Sequence, residues 1–210
     1  MKSPLSPSSP YTPLPGFVLG FHGCDRRIGE LVISGSENLN RSNNEYDWLG
    51  SGNYFWESNP SRALEYARLI KEQPERCKKR INDPFVVGAV IGLGYCLNLL
   101  EHDNLQILKT GYELVKSAAE LSGTPLPENK SADGSPDLLL RKLDRAVIES
   151  LHAFNKDNGR KEYDSVRAVF VEGAPLYPGA GFCERNHMQI CVRNQDCIKG
   201  YFRVRGKIRK

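Results

Sequence analysis

Apolar residues form short runs near both ends of this chain and recur at helical spacing in its middle. The run GFVLGFHG, beginning around Phe17, predicts a buried strand that ends at His22 and Gly23. A second run, PFVVGAVI, is rich in β-branched residues and predicts a central strand near residues 85 to 91. Three later stretches, SVRAVFVEG, HMQICVRN and CIKGYFRV, are separated by polar turns and predict strands of an antiparallel sheet.

Helix signals lie between these strands. Asp25 is placed to cap a short helix that continues through Leu31, and Asn59 followed by Pro60 predicts the start of a helix that ends at Pro74. Between these two helices, residues 34 to 53 are rich in Ser, Asn and Gly and predict an irregular loop.

Two amphipathic helices are predicted in the middle of the chain. The first runs from about Leu105 to Leu121, and the second opens at Ser135-Pro136 after a loop. The second helix is expected to bury one set of side chains: Leu139, Leu143, Ala146 and Phe154.

The order of these elements predicts an α+β domain. Strands lie at both ends and helices cluster in the middle, which favours a sheet with helices segregated around it. Residues 1 to 15 hold five prolines and four serines, a composition that predicts disorder, so the folded domain is expected to span residues 16 to 210.

Composition indicates the class of protein and the cellular compartment. With 40% hydrophobic and 26% charged residues, the 210-residue chain has the composition of one soluble domain. No apolar run approaches a membrane span, the first residues lack a secretory layout, and no Cys or His spacing predicts a metal site, so a reducing cytoplasmic setting is expected. The net charge of +4 includes a basic end that predicts either an anionic partner or a solvated terminus: Arg203, Arg205, Lys207, Arg209 and Lys210.

One segment carries more information than the rest. Residues 49 to 67, LGSGNYFWESNPSRALEYA, place Gly50, Gly52, Tyr54 and Phe55 in a glycine-aromatic turn before a helix that contains Tyr66. This segment resembles the corresponding part of poly(ADP-ribose) polymerases, with one extra residue before the helix. As in that family, a His-Gly pair precedes it and a strand reading VVGAVIGLGYCL follows it.

The closing segment HMQICVRNQDCIKGYFRV also resembles the family's final strands. The resemblance covers residues 17 to 98 and 163 to 204 and is interrupted by helices at about 103 to 160. It implies a split antiparallel β-sheet, as in ADP-ribosyltransferases of the diphtheria-toxin type, with a central helical insertion.

The resemblance implies NAD⁺ as co-substrate, bound bent. Nicotinamide is a flat cationic ring, which aromatic faces from Tyr54 and Tyr66 could hold. Gly23 would bond its carboxamide through the backbone, and His22 would hold a ribose hydroxyl. Gly52 is expected beside the cofactor, and Ala63 replaces a serine that many family members use to bond the carboxamide.

Gln189 stands where the family has a catalytic glutamate. Its carbonyl oxygen can still bond a ribose hydroxyl, but the charge that stabilises an oxocarbenium-like state is lost, which predicts slower reaction and single transfers to a protein or nucleic-acid acceptor. His187, two residues earlier on the same strand face, is either a proton acceptor or a surface histidine. Glu184 is another candidate for the missing charge or an ordinary loop acid.

Other functions stay open on sequence alone. The chain could be an NAD⁺ glycohydrolase, a silent NAD⁺ or ADP-ribose binding module, or an interaction domain in which Tyr54 to Trp56 is only a core patch. Removal of an RNA 2′-phosphate needs an arginine set that is not recognisable, since Arg26, Arg27 and Arg41 fit an exposed helix and loop equally well.

Overall fold

A seven-stranded sheet organises the protein in a computed structural model that describes residues 16–77, 79–132, 134, 137–206 and 208. The strands of the described residues are, in sequence order, β1 Val18–Asp25, β2 Asn53–Glu57, β3 Pro84–Ile91, β4 Cys96–Asn98, β5 Asn129–Lys130, β6 Leu140–Arg141, β7 Ser165–Phe170, β8 His187–Val192 and β9 Ile198–Arg203. The α-helices are α1 Arg26–Ile33, α2 Pro60–Glu72, α3 His102–Ser122 and α4 Lys142–Asp157.

The main sheet has the order β4-β7-β8-β2-β1-β3-β9, while β5 and β6 form a separate hairpin. Every pairing in the main sheet is antiparallel except that of β4 with β7. The predicted α+β class is therefore confirmed, as are the five long strands foreseen from apolar runs. β8 and β9, which close the sequence together, lie apart in the sheet because β2, β1 and β3 separate them.

Local signals set the first two helices. The Asp25 side chain accepts from the Arg27 backbone N–H at 3.0 Å, and Asn59 accepts from the Arg62 backbone N–H at 3.1 Å. These side chains satisfy amides that have no partner within the helix. Both predicted starts are confirmed, and α1 continues two residues beyond the predicted Leu31.

The start and buried face of α4 differ from the prediction. The helix begins at Lys142, and the cap comes from the β5 hairpin, where Asn129 Oδ1 accepts from the backbone N–H groups of Leu143 and Asp144 at 3.0 and 3.2 Å. The buried face is rotated by about one residue from the predicted face. Its buried residues are Val147, Ile148, Leu151, His152 and Asn155. A remote cap and the location of α3 decided the face, and neither is visible in local periodicity.

The sheet has a core on each face. One contains Val32 of α1 with Phe55, Val87 and Ile91, and the other packs Leu49 and residues of β4, β7 and β8 against α3 and α4. A third cluster seats α2 on Phe21 and Trp56. Different helices thus cover the two faces of one sheet.

Two predictions concern residues outside those that the structure describes: the disorder of residues 1–15 and the end of the basic tail at Lys207, Arg209 and Lys210. Ser135 and Pro136 also lie outside the described residues, but the described residues 137–141 precede the first turn of α4. Among the described residues, no helix has the length and apolar composition needed to cross a bilayer.

Candidate functional site

The sheet opens between β1 and β2. Their described pairing consists of Gly20 with Glu57 and Phe21 with Trp56, although β1 continues to Asp25 and β2 begins at Asn53. Beyond Phe21, β1 remains paired with β3, whereas β2 remains paired with β8. The two halves of the sheet therefore diverge at the His22 end of β1 and the Tyr54 end of β2.

His22 spans this opening. Its Nδ1 lies 2.8 Å from the backbone carbonyl oxygen of Tyr54, and since a carbonyl can only accept, Nδ1 carries the proton. Burial lowers the pKa of His22, although the bond to Tyr54 acts in the opposite direction. The imidazole is therefore neutral at pH 7, and its Nε2 is a hydrogen-bond acceptor.

Gly23 directs its backbone into the same opening. Alternate residues of a strand direct their N–H and C=O groups to the same neighbour, and the carbonyl of Leu19 accepts from Ser58 N–H on the β2 side at 2.8 Å. Gly23 therefore directs both groups toward β2, opposite Tyr54, at a position where the described ladder has already ended.

A side chain at Gly23 would not fit. A Cβ atom there would lie 2.1 Å from the backbone oxygen of Ala63 in α2. The lack of a side chain allows α2 to pack directly against the strand at this point. The structure thus brings three predicted residues, His22, Gly23 and Tyr54, to one place.

Tyr54 is fixed by its hydroxyl group. The hydroxyl donates to the Gly50 carbonyl at 2.8 Å and accepts from the Leu49 N–H at 3.0 Å, and burial raises the pKa of Tyr54 well above its usual value. The residue as a whole is only partly buried. Tyr54 meets His22 through its backbone, and its side chain packs with Leu49 and Cys191.

Gly52 shapes the turn before β2. Its N–H and C=O both pair with Ser42, at 3.1 and 2.8 Å, and a Cβ atom would lie 2.6 Å from the Cys191 sulfur. With both backbone groups engaged and its open side filled by β8, Gly52 has a packing role in this turn.

Tyr66 lies beside Trp56. The two ring centroids are 5.1 Å apart, and both residues belong to the cluster that seats α2 on the sheet. Trp56 is buried, and its indole Nε1 has no hydrogen-bond partner among the described residues. The second predicted aromatic face therefore lies against the indole of Trp56.

Gln189 pairs in register with Trp56, next to Tyr54 on the same face of the sheet. Its Oε1 accepts a hydrogen bond of 2.7 Å from the indole Nε1 of Trp48. Trp48 in turn packs edge-on against Phe170, with 5.0 Å between ring centroids. The residue that replaces the expected glutamate is thus held by a tryptophan from the loop before the glycine turn.

His187 is neither a surface histidine nor an accessible base. Its ring is stacked on Phe170 at 5.4 Å, its Nδ1 lies 2.6 Å from the Arg185 carbonyl oxygen, and its buried Nε2 has no partner among the described residues. Burial lowers the pKa of His187 to about 4. A neutral imidazole with no accessible nitrogen is not arranged to accept a proton from a substrate.

The segment from β6 through α4 contacts the loop before β2 at two points. The guanidinium of Arg141 lies 4.8 Å from the Trp48 ring and 4.2 Å from the Phe170 ring. Glu149 accepts from the Ser51 backbone N–H at 2.6 Å and pairs with Arg193 at 2.9 Å. This segment therefore supports both the glycine turn and the tryptophan that holds Gln189.

Sequence reasoning missed Trp48, Arg141 and Glu149. A tryptophan directly before the glycine turn was the one usable signal, because an indole N–H usually finds an acceptor when it is partly buried.

Nearby Asp47 is buried and accepts from the Asn44 backbone N–H, whereas Glu184 is an exposed loop acid. Asp47 therefore braces the loop before Trp48.

Comparisons with known proteins add no family: no protein-family model, no curated protein and no solved structure matches the chain. Within the described ranges, no group of three or more His, Cys, Asp or Glu side chains is arranged to hold a metal ion.

Proposed function

We propose that this protein binds NAD⁺ and transfers its ADP-ribose to a macromolecular acceptor, with release of nicotinamide, on an ADP-ribosyltransferase-like split sheet. The observation that carries the proposal is the opening between β1 and β2 at His22, Gly23 and Tyr54. These are residues for which the sequence resemblance implied a cofactor role. Their convergence from separate strands supports a common site.

The chemistry of the opening suits the carboxamide of nicotinamide. A primary amide has one acceptor oxygen and two N–H donors, and Gly23 directs one backbone donor and one backbone acceptor toward β2. The cationic ring would then lie near Tyr54, whose aromatic ring suits a cation. Ala63 beside Gly23 adds no hydroxyl, so the backbone supplies the specific contacts.

His22 suits a ribose hydroxyl. With the proton on Nδ1, its Nε2 can accept a hydrogen bond from an O–H group. The neutral state is favoured by burial, and a neutral ring does not repel the cationic nicotinamide half. His22 would therefore orient NAD⁺ without taking part in proton transfer.

The reaction breaks the bond between ribose C1′ and the nicotinamide nitrogen. The bonding pair leaves with nicotinamide, an oxygen or nitrogen of the acceptor forms the new bond to C1′, and the proton that this atom loses passes to solvent water. Gln189 cannot supply the negative charge that would stabilise the intervening oxocarbenium character, and loss of such a group costs roughly 3 kcal/mol, or about a hundredfold in rate. Slow, single transfers to a protein or nucleic acid follow.

A silent NAD⁺ or ADP-ribose binding module is the second candidate. It is favoured by one observation: the Oε1 atom of Gln189 is already engaged by Trp48. In that function the opening would bind the dinucleotide without cleaving it. Water as acceptor, which would make the protein an NAD⁺ glycohydrolase, needs the same site and the same bond cleavage.

We place either activity in the cytoplasm, where the six free thiols would stay reduced.

The experiment that separates these functions follows nicotinamide and adenylate together. The full chain is incubated with NAD⁺ labelled in the adenylate half, with and without cell extract, and free nicotinamide and labelled macromolecules are measured. We expect slow nicotinamide release with label in macromolecules and about a hundredfold faster release in the Gln189→Glu variant.

Three results would decide against transfer. Release of nicotinamide without any labelled macromolecule would identify a glycohydrolase. Binding without release, even in Gln189→Glu, would identify a silent module. Neither binding nor release would refute the proposed function.

A further inference from the structure

The bond between Trp48 and Gln189 fixes the polarity of the Gln189 amide. An indole N–H is only a donor, so the atom of Gln189 that lies 2.7 Å from Trp48 Nε1 must be the carbonyl oxygen. The alternative amide orientation would bring two donors together. The Nε2 group of Gln189 is therefore the end that points away from Trp48.

This Nε2 group is free to meet a ligand. Gln189 is partly exposed, and among the described residues its Nε2 donates to no side chain or backbone group. It is also absent from the buried, unpartnered atoms of that part of the chain, so solvent reaches it. A ligand that approaches Gln189 therefore meets N–H donors, while the carbonyl oxygen already serves Trp48.

Trp48 is itself held in place. Its ring meets the edge of Phe170 at 5.0 Å, and the Arg141 guanidinium covers it at 4.8 Å. Both contacts use the aromatic ring and neither uses the indole N–H. The ring is thus fixed by packing and by a cation, and its N–H is available to orient Gln189.

We propose that Trp48 is a positioning residue that turns Gln189 so that its amide N–H₂ group, and not its carbonyl oxygen, faces the bound ligand. This inference rests on the proposed NAD⁺ site and deepens it. The amide N–H₂ group at this point cannot accept a hydrogen bond from a ribose hydroxyl, and its partial positive charge disfavours positive charge on the sugar. The slow reaction then has two causes: glutamine lacks a charge, and its one polar acceptor is turned away.

A glutamate at the same position would reverse the effect of Trp48. A carboxylate has two acceptor oxygens, so one could accept from the indole while the other faced the ribose. The indole N–H would then hold the carboxylate in a productive orientation. Trp48 is therefore expected to hinder a glutamine and to assist a glutamate.

The activity test is a double-mutant cycle on nicotinamide release from NAD⁺. Trp48→Phe removes the N–H and keeps a ring for Phe170 and Arg141. In the chain with Gln189 it is expected to raise the release rate about fivefold, roughly one hydrogen bond's worth. In the Gln189→Glu variant it is expected to lower the rate by a similar factor. A change in the same direction in both chains would overturn the proposal, because a packing role would have that effect.

Trp56→Phe is the matched control. It removes the other indole N–H of the chain, which has no acceptor among the described residues. Its effect should therefore have the same direction in both chains. If Trp56→Phe, like Trp48→Phe, raised the release rate in the chain with Gln189 and lowered it equally in Gln189→Glu, that result would also contradict a specific role for Trp48.

A nuclear magnetic resonance test does not depend on activity. The chain contains two tryptophans, so its spectrum has two indole N–H resonances, and Trp48→Phe assigns them. In Gln189→Leu the Trp48 resonance should move upfield as its acceptor is lost, by more than in Gln189→Glu. An unchanged Trp48 resonance overturns the proposal. A shifted resonance in a protein for which no variant binds NAD⁺ or releases nicotinamide would instead refute the proposed function while establishing the bond.

Discussion

His22 donates a hydrogen bond from Nδ1 to the backbone carbonyl oxygen of Tyr54, 2.8 Å away, across a gap where β1 and β2 are no longer paired. In a continuous antiparallel ladder, Gly23 and Tyr54 would face each other as the next hydrogen-bonded pair after Phe21 and Trp56. The imidazole takes the carbonyl of Tyr54 instead. This replacement leaves the backbone groups of Gly23 directed into the opening.

Replacement of His22 should separate this structural bond from ligand binding. Asparagine can place an N–H donor near the position of Nδ1 but has no group that matches Nε2. We expect His22→Asn to keep most of the stability, whereas His22→Leu leaves the Tyr54 carbonyl unpaired and costs about 1–3 kcal/mol of unfolding free energy. Urea denaturation of both variants checks this. Equal stability of the two would mean that the Nδ1 bond contributes nothing.

The hydroxyl and the ring of Tyr54 should have different roles. Tyr54→Phe removes the bonds to Gly50 and Leu49 and is expected to cost about 1–2 kcal/mol of stability while NAD⁺ still binds. Tyr54→Ala also removes the aromatic face and should abolish detectable NAD⁺ binding at temperatures where the variant is folded. Calorimetric titration with NAD⁺, after circular dichroism confirms folding, gives the comparison. Binding by Tyr54→Ala equal to that of the parent chain would exclude this ring from the site.

Helix α4 should stabilise the glycine turn through Glu149. The bond from Arg193 keeps the pKa of this carboxyl below its usual value even though burial acts to raise it. Glu149→Gln retains an acceptor for Ser51 N–H and is expected to cost about 1 kcal/mol, whereas Glu149→Ala should cost about 2 kcal/mol. In the Arg193→Ala background both losses should shrink. Unchanged losses in that background would show that the pair is not coupled.

Stability should fall as the pH drops from 7 toward 4. Burial lowers the pKa of His187 to about 4 and that of His152 to about 3, whereas an unfolded histidine titrates near 6.5. The unfolded chain therefore takes up these protons first, so the contribution is complete above about pH 6.5 and is lost as the pH falls through the folded-state values. His187 alone should cost about 2 kcal/mol between pH 7 and pH 5.

Urea denaturation at pH 7, 6 and 5 measures this dependence. The slope should be smaller in His187→Gln and in His152→Gln, each relative to its own stability at pH 7. Carboxylates titrate alike in all three chains, so the difference between slopes isolates the histidines. Parallel slopes would show that these imidazoles titrate normally in the folded protein.

Local patterns were sufficient for much of the fold. The run ending in His22 formed β1, Asn59 capped α2, and three late runs formed β7, β8 and β9, because in each case the signal lies within a few neighbouring residues. The parallel strand β4 and the cap of α4 by Asn129 depend on partners remote in sequence. The spacing of apolar residues within one segment does not indicate such partners, and for that reason the predicted buried face of α4 was wrong.

For the candidate site, the sequence predicted which residues share a strand face but not the contacts that their side chains make. Period-two alternation correctly put His187 and Gln189 on one face of β8, but not the burial of His187 beneath Phe170 and the Arg185 carbonyl. The Trp48–Gln189 bond joins residues 141 positions apart. The sequence analysis expected the carbonyl oxygen of Gln189 to bond a ribose hydroxyl, whereas in the structure this oxygen accepts from Trp48.

Calorimetric titration of the full chain and of His22→Asn with NAD⁺ tests the central claim most directly. If the opening between β1 and β2 holds the dinucleotide, the parent chain binds one NAD⁺, and His22→Asn, with its fold intact, binds it about tenfold more weakly or worse, the equivalent of roughly 1.4 kcal/mol. Absence of heat with the parent chain, or equal affinity in the two proteins, would contradict the account.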